Sequence, residues 1–178
     1  MKGVIFNAVQ DSVERVLGPD AWDETLDRAE VDGAFTSLGN YPDADLVAII
    51  GALPEATGDT VPDRLRWVGI NAVPFLVGAF PQFFEGVDLR GFLPALNHMI
   101  HPEVRKLYPG ATPPDFEITV VNEHTLDLHY VSQRQMSMLA VGFILGIADH
   151  LGETITVEQP ESSYVGPGDC VIRVSGLR

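Results

Sequence analysis

The sequence predicts an α+β domain, helical through its first two thirds and closed by an antiparallel sheet with one more helix set into it. Three observations carry this. Apolar residues recur at helical spacing in the stretches before the Pro113-Pro114 pair. Beyond the pair, two short stretches alternate between apolar and polar residues, as half-buried strands do. A run with one broad apolar face follows, and then two more strand-like stretches.

The elements follow in chain order. Ile5, Val9, Val13 and Val16 form the stripe of a first helix, which Gly18-Pro19 stops. A short acidic helix occupies 22–29. Asp43 or Asp45 is placed to cap a third, with Leu46, Ile49, Ile50 and Leu53 as its buried stripe. Residues 54–63 (PEATGDTVPD) are turn-forming. The chain therefore reads as one domain, 1–178, whose residues 1–55 form a helical lobe able to shift against 56–178. Thr60 caps a helix that begins at Val61-Pro62 and reaches Phe80; Pro81 ends it, and Pro74 predicts a kink. Segments 116–122 (FEITVVN) and 125–131 (TLDLHYV) predict a hairpin that turns at Asn122-Glu123-His124. Residues 133–151 predict a helix with Met136, Leu139, Phe143, Ile144 and Ile147 on one face, ending at Gly152. The last two strands are expected at 154–158 and 170–174, joined by a loop containing Gly166-Pro167-Gly168.

Composition narrows the function classes. In 178 residues, 46% are apolar and 20% charged, which supports a real core and argues against disorder. Eleven basic against 25 acidic residues leave a formal charge of −14. Such a field repels phosphate backbones and anionic lipid, so neither nucleic acid nor a membrane is an expected partner. The one cysteine, Cys170, allows no internal disulfide and no multi-cysteine zinc site. No apolar stretch approaches the ~20 residues of a membrane span, and the start MKGVIFNAVQDSVE lacks the pattern of a signal peptide. The expected address is the cytoplasm.

Two groups of residues have the makings of chemistry. His98 and His101 stand three apart, on one face if a helix runs unbroken through them, although Pro102 biases His101 against helical backbone. A zinc pair needs a third ligand, and no HExxH-type motif is present. A single histidine among apolar neighbours suits one axial bond to a haem iron; it equally suits an ordinary helix-end histidine. The second group is Tyr130, Ser132 and Arg134, which share one side of an extended backbone. Two hydroxyls and a guanidinium are a donor set for a pair of carboxylates or a phosphate. The alternative is a solvent face, with Ser132 capping the next helix. No GxSxG, no glycine-rich strand-to-helix loop and no placed nucleophile argues for an enzyme.

Three patterns together resemble one family: MKGVIFNAV at the start, HPEVRKLYPGATPPDFE over 101–117, and YVSQR over 130–134. They look like a haem–nitric oxide/oxygen binding (H-NOX) domain, the gas-sensing module of soluble guanylate cyclase and of bacterial sensors. The likeness spans nearly the whole chain. It implies haem b (protoporphyrin IX iron) buried between the helical part and the sheet, with His101 as the proximal, axial ligand of the iron. It implies that Tyr130, Ser132 and Arg134 hold the haem propionates and that Pro114 presses on the porphyrin. Asp43 matches an acidic residue that buttresses the motif arginine. The stretch before His101 is one residue longer than in relatives, which gives His98 a rival claim. Oxygen-binding members resemble one another in a distal tyrosine, where this chain has Leu139; Ile5, Val9, Leu76 and Phe143 fill the other distal positions, all apolar.

The resemblance therefore implies a ferrous haem that binds nitric oxide and carbon monoxide and excludes oxygen. Nitric oxide would break the iron–His101 bond and shift the fold, regulating a signalling partner in trans, a histidine kinase or a cyclic-di-GMP enzyme. Cys170 alone departs from the cysteine cluster by which some relatives bind zinc. Three other readings stand beside this one. They are an oxygen-binding haem sensor, a haem-free domain that binds a carboxylate or phosphate, and a small zinc enzyme using His98 and His101.

Overall fold

A computed structural model describes residues 1–159 and 169–178; the loop expected around Gly166-Pro167-Gly168 lies outside them. α1 (Gly3–Leu17) runs to the expected stop, where Gly18 takes a φ of 106° that side chains disfavour. Val9 and Val13 are buried, but Val16 is 44% exposed, and the neighbouring Leu17 packs on the cluster in its place. α2 (Ala21–Ala29) and α3 (Asp43–Ala52) follow. Leu46, Ile49, Ile50 and Leu53 are buried as the spacing predicts. Neither aspartate caps α3: Pro42 precedes it without a side-chain bond, and the Asp43 carboxylate is drawn off to the chain's own N-terminus and to Arg134. These helices share one apolar cluster, with Phe6, Val9, Trp22, Leu46 and Ile49 at its centre.

α4 (Val61–Ala79) opens on a capping box. Asp63 N–H donates to Thr60 Oγ1 at 3.3 Å, and Thr60 N–H donates to the Asp63 carboxylate at 3.2 Å. The helix continues through Pro74 and ends before Pro81, as expected. α5 (Leu89–Ala95), a π turn (Leu96–Ile100) and α6 (His101–Leu107) then form one continuous helical stretch. The departure from helical backbone that Pro102 favours at His101 does not occur. His101 keeps helical backbone (φ −65°, ψ −37°), and its N–H reaches back five residues to the Leu96 carbonyl. A proline ring clashes with the carbonyl four residues earlier, and the wider turn relieves that clash.

β1 (Asp115–Asn122) and β2 (Thr125–Val131) form the expected hairpin, with Asn122 Oδ1 accepting from His124 N–H at 2.9 Å in the turn. β3 (Thr156–Glu158) begins two residues later than expected, and β4 (Cys170–Ser175) runs one residue longer. The sheet order is β1-β2-β4-β3, antiparallel throughout. Its inner face (Leu126, Leu128, Tyr130, Cys170, Ile172 and Val174) joins a second cluster with α5 and α7 (Ser137–His150). α7 starts four residues later than expected, because 132–136 form a turn with Gln135 at φ 53°. α7 packs on α4 so closely that a Cβ on Gly142 would lie 2.8 Å from the Gly69 Cα. The chain is thus a helical N-terminal region followed by a four-stranded antiparallel sheet, the fold class expected. No helix among the described residues is long and apolar enough to cross a membrane.

Candidate functional site

Where the helices meet the sheet lies a cavity of about 290 Å³, close to the lower end of the ~300–1,000 Å³ typical of sites that enclose a small molecule. Its lining is largely apolar and drawn from both clusters. α1 contributes Val4 and Ile5, α4 contributes Leu76, and α7 contributes Leu139, Ala140, Phe143, Ile144 and Ile147. That wall carries no hydroxyl, amide or charge. Ser137, at the start of α7, does not line the cavity. Val9, expected beside Ile5, does not line it either: one helical turn further on it is 1% exposed within the N-terminal cluster.

His101 lines the cavity from α6, at the end of the π turn, beside Ile100 and Val104. Burial pushes its pKa down to about 4. The Arg105 charge works in the same direction, and Asp115 and the Pro114 carbonyl only partly oppose it. The ring is therefore neutral at ordinary pH, with a lone pair to offer. Its Nδ1 is buried and has no hydrogen-bond partner of good geometry, a condition that costs free energy unless something else satisfies the ring. His98 is exposed and outside the cavity, so the two histidines do not converge. Among the described residues no group of three or more His, Cys, Asp or Glu is placed to hold a metal ion.

Tyr130, Ser132 and Arg134 all line the cavity, but not through strand alternation. β2 ends at Val131, and the turn after it brings Arg134 back, with Ser132 Oγ accepting from Arg134 N–H at 3.2 Å. Ser132 thus organises this turn and does not cap α7. Burial raises the Tyr130 pKa, more than its hydrogen bond to Ser132 and the Met136 main chain lower it, so the phenol keeps its proton. The Arg134 guanidinium donates to Thr112 O at 2.6 Å and Thr112 Oγ1 at 2.7 Å, and its Nε stands 2.9 Å from Asp43 Oδ2. An incoming carboxylate would compete with Thr112, not with Asp43.

Three further contributions escaped sequence reasoning. Asp43 Oδ1 accepts from the N-terminal ammonium at 2.6 Å, and Met1 itself lines the cavity. Lys2 Nζ donates to Leu38 O at 2.7 Å and Pro109 O at 3.2 Å, tying the N-terminus to the segment before Pro114. Phe80, Phe83, Phe84, Phe92 and Phe116 supply aromatic lining; a phenylalanine-rich stretch over 80–92 was the available signal. The donor set at one rim, the neutral buried imidazole on α6 and the apolar enclosure fit a flat, hydrophobic group that bears carboxylates and a metal with an open axial position.

Comparison with known proteins follows that geometry. The model of the family described as Haem-NO-binding matches residues 2–159. An H-NOX protein from S. oneidensis in the Fe(II)NO ligation state superposes with a TM-score of 0.88 at 23% identity, covering 100% of this chain and 99% of that one. An unliganded Fe(II) H-NOX protein from K. algicida gives 0.84 at 23% identity, over 100% and 97%. An oxygen-binding H-NOX domain related to soluble guanylate cyclases, solved as its oxygen complex, gives 0.83 at 28% identity, over 98% and 94%.

Proposed function

Because the chain belongs to the Haem-NO-binding family, we propose that it is a haem-based gas sensor tuned to nitric oxide and carbon monoxide over oxygen. A ferrous haem b held in the cavity would supply an iron able to take these gases. His101 would hold that iron: it is the one histidine in the lining, neutral and without a good partner at Nδ1. Tyr130, Ser132 and Arg134 receive the propionates, with Asp43 fixing the guanidinium from behind. Pro114 bears on the porphyrin from the segment between α6 and β1.

The selectivity rests on one observation, the wall from α1, α4 and α7. Bound oxygen carries partial negative charge, and a hydrogen bond to such a group is worth roughly 1–3 kcal/mol, several-fold to over a hundredfold in affinity. Ile5, Leu76, Leu139 and Phe143 offer none. Relatives of this fold have been solved with nitric oxide on ferrous iron and with oxygen, so the fold accommodates either gas and the lining must decide.

Release of His101 would free the stretch from the π turn to α6, and residues 1–55 are the part that would shift, joined to the rest by Lys2 on Pro109 and by Asp43 on Arg134. Biasing two arrangements of that lobe is how the domain regulates a cytoplasmic partner in trans, a histidine kinase or a cyclic-di-GMP enzyme, without itself catalysing a reaction. The test is an anaerobic absorption spectrum of ferrous, haem-loaded protein, repeated after air and after nitric oxide. Nitric oxide is expected to give the Soret position of a haem that has lost its histidine, while air leaves the ferrous band in place. A stable shift in air would mean an oxygen sensor, and failure to retain haem would leave a haem-free binding domain.

A further inference from the structure

β1 lies at the edge of the sheet, so among the described residues one side of it has no strand to pair with. At Phe116, which is buried, a side chain takes the place of that strand. Asn97 Nδ2 donates to the Phe116 carbonyl at 2.6 Å, and Phe116 N–H donates to Asn97 Oδ1 at 3.2 Å. Only an amide carries donor and acceptor side by side in the spacing that a main-chain edge presents. Asn97 belongs to the π turn that ends at His101, and the Phe116 ring stands 6.1 Å from the His101 ring and 5.6 Å from that of Tyr130.

We propose that Asn97 is a positioning residue for the axial histidine: its two-point clamp on Phe116 ties the π turn to β1 and so fixes His101 relative to the sheet. The π turn alone does not set that position, since its hydrogen bonds fix His101 within its own helix and not against the sheet. Cutting the clamp frees the turn to move against β1 and carries His101 with it. This rests on His101 being the iron ligand, but the clamp itself is testable without haem.

Asn97→Ala and Asn97→Asp are compared with Ile49→Val, a core change in α3 matched to the same fall in melting temperature. In haem-free protein, amide exchange at Phe116 is expected to quicken at least tenfold in Asn97→Ala, to quicken less in Asn97→Asp, which keeps the acceptor of that N–H, and to stay unchanged in Ile49→Val. In ferrous haem-loaded protein, the iron–histidine stretching band is expected to shift in the Asn97 variants alone. Asn97→Asp, which keeps the acceptor and loses the donor, should shift it less than Asn97→Ala. Unchanged Phe116 exchange, or a band that Ile49→Val moves equally, overturns the positioning role. Quickened exchange in the Asn97 variants, beside a haem-loaded wild type that shows no iron–histidine band, would instead count against His101 as ligand and leave the clamp standing.

Discussion

Leu139 carries the oxygen question in a single side chain. It lines the cavity from the first turn of α7, and replacing it with tyrosine brings a hydroxyl into an apolar wall. Leu139→Tyr is expected to raise oxygen affinity by about fivefold to a hundredfold or more, the yield of one hydrogen bond to a charged group. Oxygen titration of the ferrous protein measures it, and an unchanged affinity would mean that the wall does not set selectivity. Pro114 offers a second test at this scale. Pro114→Ala removes a rigid ring from the lining and is expected to weaken the out-of-plane porphyrin modes in resonance Raman spectra. Leu139 was legible through the family resemblance, which matches it to the distal tyrosine of oxygen-binding members, while helical spacing puts it only on the apolar face of its helix. The role of Asn97 was not: its partner lies 19 residues away, and nothing local distinguishes it from any helix-surface asparagine.

At the scale of elements, the helices divide into those set by local signals and those set by neighbours. α4 is of the first kind, since Thr60 and Asp63 close its first turn on each other; Thr60→Ala is expected to cost about 0.5–2 kcal/mol by thermal or urea unfolding. The α4–α7 crossing is of the second kind. Gly69, Gly142 and Gly146 let the two backbones touch, and a methyl on Gly142 would meet the Arg66 carbonyl and the Gly69 Cα. Gly142→Ala is expected to lower stability by about 1–3 kcal/mol through overpacking, with a matching fall in melting temperature; a neutral substitution would mean that the helices separate freely. The hairpin was readable because alternation and the Asn122 turn are local. The π turn was not readable, since Pro102 biases His101 against helical backbone and the contact of this turn with β1 is made by residues distant in the chain.

At the scale of the molecule, the N-terminal ammonium, Asp43 and Arg134 form one charge chain that joins the lobe to the donor rim. Burial alone would raise the Asp43 pKa, but the hydrogen bonds from the N-terminus and Arg134, with their charges, outweigh it and leave the pKa lowered. The sign follows. Stability from this link is present above the ordinary aspartate range, near 3.9, and is lost as the pH falls through the depressed value. Asp43 is 41% exposed, so solvent screening keeps the effect modest. Trp22 and Trp67 both pack in the N-terminal cluster and report on it. Their emission is expected to shift in acid below about pH 4, and Asp43→Asn should show that shift already at neutral pH. A variant whose emission matches the wild type at neutral pH would remove the charge chain from the account of how the lobe is held.

The sequence by itself determined the fold class, most of the element boundaries, the family likeness and the residues around which the cavity forms. Those depend on periodicity, caps and turns, which act within a few residues, and on motifs whose spacing survives in one chain. Tertiary structure decided what those residues face. It set His98 outside the cavity and His101 within it, left Val9 in the core, closed Arg134 onto Thr112 and Asp43, and brought Met1 to the cavity wall. Each of these outcomes hangs on partners tens of residues apart, and a buried polar group takes whichever partner the packing brings within reach.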